Sequence, residues 1–292
     1  MALTQRRLVP GEESMVDAFL AGSPETTLFL RSNLARAGLA AGGEPFSGVY
    51  AGAFDDGVLA GVAAHFWNDN VVVSPSVYAE SLAKHAAALS GRRVGGILGP
   101  HAEVVRVRSA LGLDAAVARF ASKELLYSLA LEDLVVPPAL GSGELVVRAP
   151  REEPAELDAL LAWRMQYCAE TMATPDTPET RADQRRYLEA YQEKGHHFVV
   201  TRGPGGERVA YSAFNATVAD LVQIGGVWTP PALRGHGYAR CAVAGSLQHA
   251  RNNGVRRAIL FTDEENLGAQ RSYVAVGFLP IGDYGIVFFA TG

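Results

Sequence analysis

Two glycines separated by one residue, Gly235 and Gly237, stand in the run Arg234-Gly235-His236-Gly237-Tyr238-Ala239. An apolar stretch, Leu221–Trp228, precedes the run and is stopped by Pro230-Pro231, because proline has no N–H to give to a strand ladder. A helical pattern from Ala239 to Gly254 follows directly. Strand, break, glycine turn and helix N-terminus form a device for holding a phosphate. Successive N–H groups have no internal partner, and the positive end of the helix dipole stands behind them. Glycine lets a ligand approach backbone that a Cβ would cover. His236 offers its N–H whatever its ring does, and Arg234 and Arg240 are cations beside the turn. A P-loop would need Lys-Ser or Lys-Thr after the glycines, and a dinucleotide fingerprint would need glycine where Arg240 stands.

A second group lies in Asn266–Phe278, NLGAQRSYVAVGF. Asn266 and Tyr273 are seven residues apart, which puts them on one helix face about two turns apart. Taken singly, they read as an N-cap asparagine and a half-buried tyrosine.

The first run fits R-x-x-G-x-A, and the second places Asn266, Ala269, Tyr273, Gly277 and Phe278 on N-x-x-A-x-x-x-Y-x-x-x-G-F. In both motifs the chain resembles the GCN5-related N-acetyltransferases (GNAT). The resemblance implies acetyl-CoA as acyl donor, with its pyrophosphate on Arg234, Gly235, His236, Gly237, Tyr238 and Ala239. It also implies that Asn266 holds the pantetheine or phosphate arm and that Tyr273 gives a proton to the departing thiolate. In the family the oxyanion takes an N–H where the central strand splays. In this chain that is Val227, with Trp228 and Thr229 continuing the contact to the pantetheine. A tyrosine with a pKa near 10 is protonated at neutral pH and suits the role of acid.

The base is not assigned by the motifs. In the histone-modifying branch a glutamate stands four residues before the splay, and here that position is Gln223. Glu170, Asp220 and the run Asp263-Glu264-Glu265 are the acidic candidates, each also readable as a solvated charge or cap. No cysteine stands in the strand before the glycine turn, and Cys241 falls on the helix behind it, so direct transfer in a ternary complex is expected.

The elements that must position these residues read β-α-α-β-β-β-α-β-α-β, and the same order is found twice along the chain. Val135–Gly143 is rich in proline, glycine and serine and reads as the connection. The expected division is residues 1–136, a linker at 137–143, and residues 144–292 as the catalytic domain. The expected fold is α/β (α+β), two tandem acyl-CoA N-acyltransferase folds, each a mixed, mostly antiparallel sheet flanked by helices. The first half has Ser74–Glu80, SPSVYAE, where the second has glycines, and is expected to have lost its cofactor site. Its role would be to wall the acceptor site or to form a homodimer surface.

With 48% hydrophobic and 20% charged residues, the 292-residue chain has ample core for a soluble protein. A net charge of −5 gives no reason to expect nucleic acid or an anionic membrane as partner. No apolar run approaches a membrane span and no signal peptide is readable, so a cytoplasmic location is expected. Cys168 and Cys241 read as packed thiols. His196-His197 lacks the companions of a metal ligand set, and no metal is expected. The expected acceptor is a small-molecule or peptide amine. Alternatives are a larger acyl-CoA, an amino-acid or thiol-precursor acceptor, or a CoA-binding sensor without turnover.

Overall fold

The computed structural model describes residues 3–40 and 42–290. The first run of elements is β1 (Leu3–Arg7), α1 (Glu13–Leu20), α2 (Pro24–Ala37), β2 (Gly48–Asp55), β3 (Val58–Phe66), β4 (Asn70–Val73), α3 (Ala79–Ser90), β5 (Gly96–Pro100), α4 (His101–Ala110) and β6 (Ala118–Ala130). A single helical turn, α5 (Pro138–Gly141), lies in the connecting segment. The second run is β7 (Leu145–Arg148), α6 (Pro154–Met172), α7 (Pro178–Lys194), β8 (His197–Arg202), β9 (Arg208–Val218), β10 (Leu221–Trp228), α8 (Tyr238–Asn252), β11 (Arg257–Asp263), α9 (Leu267–Val274) and β12 (Leu279–Phe289). The order of the first run is therefore repeated in the second, as the sequence pattern predicts.

Local chemistry sets many of the boundaries. Proline opens α2, α6 and α7, where its missing N–H costs no helical bond. The Thr177 hydroxyl caps α7 by accepting from the Thr180 N–H at 3.2 Å, and Gly195 ends that helix in the left-handed region. Asp56 and Gly57, both with positive φ, make the turn that joins β2 to β3.

The chain forms two compact units, and their limits depart from the linear division at residues 136 and 144. One unit runs to Leu126 and also takes the segment from Ile281 onward; the other is Tyr127–Pro280. In the first, the strand order is β1-β2-β3-β4-β5-β12. β12 pairs antiparallel with β5, from Tyr284 opposite Pro100 to Phe288 opposite Gly96. Val287 and Phe289 join Val71, Val73, Leu82, Ala86, Ile97 and Val107 in that unit's core. An apolar strand pattern shows that β12 will pair, but not with which edge, since pairing is decided by distant chain.

The second unit has the order β11-β10-β9-β8-β7, with the end of β6 beside β11. β10 and β11 are parallel, and β10, β9, β8 and β7 are antiparallel in succession. Leu160, Leu161 and Met165 of α6 pack with Leu188, Val199, Tyr211, Ala213 and Trp228. Cys241 and Ala242 of α8 pack with Leu145, Val200, Val209 and Ala210. Cys168 and Cys241 are free, buried thiols, pushed above the ordinary thiol pKa by burial.

Near its start α6 is held by Glu156, whose carboxylate is 2.7 Å from Arg148 of β7 and 3.3 Å from Arg208 of β9. It also accepts from the Arg151 N–H. Burial opposes ionisation of Glu156, but the bonds from Arg148 and Arg151 and the charges of Arg148 and Arg208 win. The carboxyl is brought down to about 2. Among the described residues no helix is long and apolar enough to cross a membrane.

Candidate active site

The central strand of the second unit changes partners along its length. Leu221, Val222 and Gln223 of β10 stand opposite Arg257, Ala258 and Ile259 of β11, and the parallel register ends there although both strands continue. On the other side the register with β9 shifts twice, between Gln223 and Ile224 and between Gly225 and Trp228. Gly226 and Val227 fall within the second shift, where β10 carries one residue more than β9, and Gly226 has φ +61°. Such a bulge bends a strand and leaves a peptide unpaired. Val227, the expected oxyanion donor, therefore lies at the site of a splay, half-buried. Three side-chain atoms along this stretch are buried without a partner: Gln223 Oε1, Trp228 Nε1 and Thr229 Oγ1. Buried polar atoms are rarely left so, and a cluster of them marks a place for a ligand.

The glycine turn follows one short 3₁₀ turn later, at Pro231–Leu233. Gly235 and Gly237 have φ +83° and +78°, and Gly237 is the left-handed N-cap of α8. Among the described residues the N–H groups of residues 235–240 meet no backbone acceptor, whereas the carbonyl of Gly237 takes the Cys241 N–H at 3.1 Å. A Cβ at Gly235 would meet no protein atom within 4 Å. The turn is therefore open outward, as an anion cradle must be.

The side chains around the cradle are not equally available. Arg234 donates from Nε to the Thr229 carbonyl at 3.1 Å and from Nη2 to Glu170 at 2.8 Å, with its guanidinium 4.9 Å above the Trp228 ring. It braces the turn. The His236 ring turns back toward the carbonyls of Leu233 and Arg234 and stacks on Tyr238, whose hydroxyl accepts from Arg202. Ala239 lies in the first turn of α8. Arg240 folds over the turn, with Nη2 3.0 Å from where a Cβ on Gly237 would be, and has no carboxylate partner among the described residues. It is the cation beside the cradle best placed to meet an anion.

Asn266 is the N-cap of α9, its Oδ1 accepting from the Ala269 N–H at 3.1 Å. Its oxygen is thus committed to the helix, and its Nδ2 remains to donate. Tyr273 on the same helix is 8% exposed, its ring edge-on to Phe278 and to Tyr127 at centroid distances of 6.2 and 6.3 Å. α9 packs against α8, the helix that ends the glycine turn.

Of the acidic candidates, Glu170 and Asp263 have partners. Glu170 pairs with Arg234, Asp263 accepts from the Glu265 N–H at 2.7 Å, and Asp220 is exposed at the start of β10. Gln223 is buried and donates to the Ile224 carbonyl at 3.0 Å. His197 sits between Tyr211 and Gln192, its pKa pushed down to about 4, first by burial.

A residue that the motifs did not single out stands beside the bulge. Arg164 of α6 reaches Gly226 with Nη1 3.0 Å from the position of an added Cβ, and Tyr211 lies 3.7 Å from the same point. The available signal was its spacing. Arg164 falls among Leu160, Leu161, Met165 and Cys168, which are buried on that helix.

The corresponding stretch of the first unit is closed. β4 and β5 are parallel as β10 and β11 are, but the Ser74 N–H donates to the Val62 carbonyl and the Ser74 hydroxyl accepts from the Val62 N–H. Ser76 Oγ takes the Tyr78 N–H at 3.1 Å, and the Ser76 carbonyl takes the Ala79 N–H at 3.2 Å. The N–H groups of Ser74, Tyr78 and Ala79 thus already have acceptors within this unit.

A splayed central strand feeding a glycine turn at a helix N-terminus is an arrangement suited to holding an anion. Residues 144–279 match the family model described as an acetyltransferase (GNAT) domain. This family moves an acyl group from acyl-CoA to an amine. No curated protein matches the chain. A Drosophila protein of solved structure superposes with a TM-score of 0.66 at 13% identity, over 97% of this chain and 98% of its own. A tandem GNAT protein from the clavulanic acid biosynthesis pathway does so at 0.56 and 14%, over 99% and 98%. A fungal multidomain glucosaminidase with a GCN5-related glucosamine N-acetyltransferase region matches at 0.56 and 14%, over 99% of this chain but 38% of its own. At these identities the likeness is one of fold.

Proposed function

We propose that Tyr127–Pro280 binds one acetyl-CoA and transfers its acetyl group directly to the amine of an acceptor held beside the β10 bulge. The observation that carries this reading is the outward-facing set of N–H groups at residues 235–240, directly after a strand that has left its parallel neighbour. The buried, unpartnered Trp228 Nε1 and Thr229 Oγ1 fit a polar pantetheine arm passing the end of that strand. Acetyl-CoA supplies a thioester whose carbonyl carbon is open to attack by a neutral amine.

In this mechanism the N–H groups of residues 235–240, with Arg240, hold the pyrophosphate. Asn266 Nδ2 donates to the arm. The Val227 N–H points to the carbonyl oxygen and stabilises the charge that develops there. Tyr273 holds a proton on its hydroxyl and delivers it to the departing sulfur. The proton lost by the amine leaves through water, because no carboxylate replaces Gln223. That glutamine also favours a second reading, a CoA-binding sensor without turnover. The first unit, whose equivalent donors are closed by Ser74 and Ser76, takes no cofactor in either reading.

Calorimetric titration of the whole chain with acetyl-CoA tests this. One site per chain, with release of thiol when amines are added, is the expected result. Two sites would overturn the closed first unit. Binding without thiol release to any amine would leave the sensor, and no binding would remove both readings.

A further inference from the structure

Arg164, itself half-buried, lies on α6 beside the buried Leu160, Leu161, Met165 and Cys168. Its Nε donates to Gln184 Oε1 of α7 at 2.8 Å, and its guanidinium stands 5.2 Å from the centre of the Tyr167 ring. The same Gln184 oxygen is approached by Cys168 Sγ at 3.6 Å, so both helices fix the fork. The outer nitrogens have no acceptor among the described residues, and no carboxylate pairs with this arginine. The contrast within the chain is direct. Arg31, similarly drawn in, is paired with Asp17 at 2.8 Å, and Arg148 with Glu156 at 2.7 Å.

What surrounds Arg164 is neutral. Tyr167, Tyr191, Tyr211 and Cys168 are titratable groups beside it, and among the described residues no Asp or Glu forms an ion pair with it. Arginine does not lose its proton in a protein, so the charge stands there at any working pH. Chains seldom hold a charge among aromatic rings without a counter-charge, because desolvation is costly. The position of the fork decides where that counter-charge comes from. Nη1 lies 3.0 Å from where a Cβ on Gly226 would be, and Gly226, with φ +61°, stands immediately before Val227.

Resting on the acetyltransfer reading above, we infer that Arg164 recognises a carboxylate on the acyl acceptor, so that the substrate class is amines bearing a carboxylate, such as free amino acids. A planar guanidinium matches a planar carboxylate with two parallel bonds. Tyr211, 3.7 Å from the Cβ position at Gly226, lines the same approach. The single cation matches a single negative charge; a phosphate dianion would call for more. Fixing the carboxylate beside Gly226 brings the amine of the same molecule to Val227, one residue on.

The test pairs each of a panel of free amino acids with its own carboxamide, using the full chain. Thiol release from acetyl-CoA gives kcat/KM, and calorimetry in the presence of CoA gives affinity. At least one acid is expected to be preferred over its amide by tenfold or more. R164Q should bring that ratio to about one by lowering kcat/KM for the acids, with acetyl-CoA affinity kept within twofold, and R164K should restore part of the preference. Equal use of acid and amide by the unaltered protein overturns the inference without needing any variant. So does a preference that survives R164Q, a loss of acetyl-CoA affinity in R164Q, or a panel in which no acid is bound or acetylated. The acetyl-CoA titration reads the underlying reaction separately. If it fails while acids still bind through Arg164, the carboxylate site stands and the transferase reading falls.

Discussion

Arg234 Nη2 lies 2.8 Å from Glu170 Oε2, tying the glycine turn to helix α6. Both side chains are about half exposed, so the pair itself adds only about 0–1 kcal/mol to stability. Its effect is on geometry. With Nε on the Thr229 carbonyl and the guanidinium over Trp228, Arg234 fixes the turn relative to the end of β10.

Arg234→Ala is therefore expected to weaken acetyl-CoA binding roughly tenfold, about 1.4 kcal/mol, with little change in melting temperature. Glu170→Gln, which leaves the other two contacts of Arg234 in place, should weaken it by about twofold at most. Calorimetry on the two variants distinguishes a bracing arginine from one that meets phosphate itself: in the latter case Glu170→Gln would tighten binding.

Gly235→Ala puts a Cβ into open space but onto a backbone with φ +83°. The strain is of the order of 1–2 kcal/mol and falls on the turn, so folding should survive and acetyl-CoA affinity should drop at least tenfold. Gly237→Val adds a branched side chain at φ +78° and against Arg240, and should abolish binding. Unchanged titration curves for both would remove the cradle.

Tyr273→Phe keeps the ring against Phe278 and Tyr127 and removes only the hydroxyl. With general acid catalysis lost, kcat is expected to fall by about 10²–10⁴ while acetyl-CoA affinity is kept. A variant with unaltered kcat would mean that Tyr273 serves the core alone.

Glu156 gives the chain a defined acid sensitivity. Its carboxyl is near 2 when folded and about 4.3 when unfolded. A depressed folded value means that the stabilisation is complete above about pH 5 and is lost as pH falls toward 2. Glu156→Gln is expected to cost roughly 3 kcal/mol at pH 7, since it leaves Arg148 and Arg208 without their carboxylate. The difference from the unaltered protein should shrink steadily below pH 4 in denaturant titrations. A gap that stays constant down to pH 2 would contradict the folded value.

The parts of the site that could be read directly were those fixed by neighbours in the chain. Gly235 and Gly237 are where φ must be positive, proline ends β10, and the 3.6-residue repeat puts Asn266 and Tyr273 on one helix. The repeated order of strands and helices was legible for the same reason. Each element is set by local periodicity and by the glycine or proline at its end.

Other features depended on residues far apart in the sequence. Nothing within β12 says that it pairs with β5, about 190 residues earlier, because an apolar strand pattern fits any open edge. Asn266 spends its oxygen on the Ala269 N–H, and Glu170 spends its charge on Arg234; both facts are contacts, not residue types. Arg164 is the clearest case. Its place beside buried residues of α6 marks it as unusual, but its lack of an acid partner, and its closeness to Gly226, exist only once α6, α7 and β10 are brought together. Sequence alone determined where the glycine turn and the helix carrying Asn266 and Tyr273 would form, through backbone sterics and helical spacing. Tertiary structure decided which charges are already neutralised, because that depends on contacts between segments that spacing does not encode.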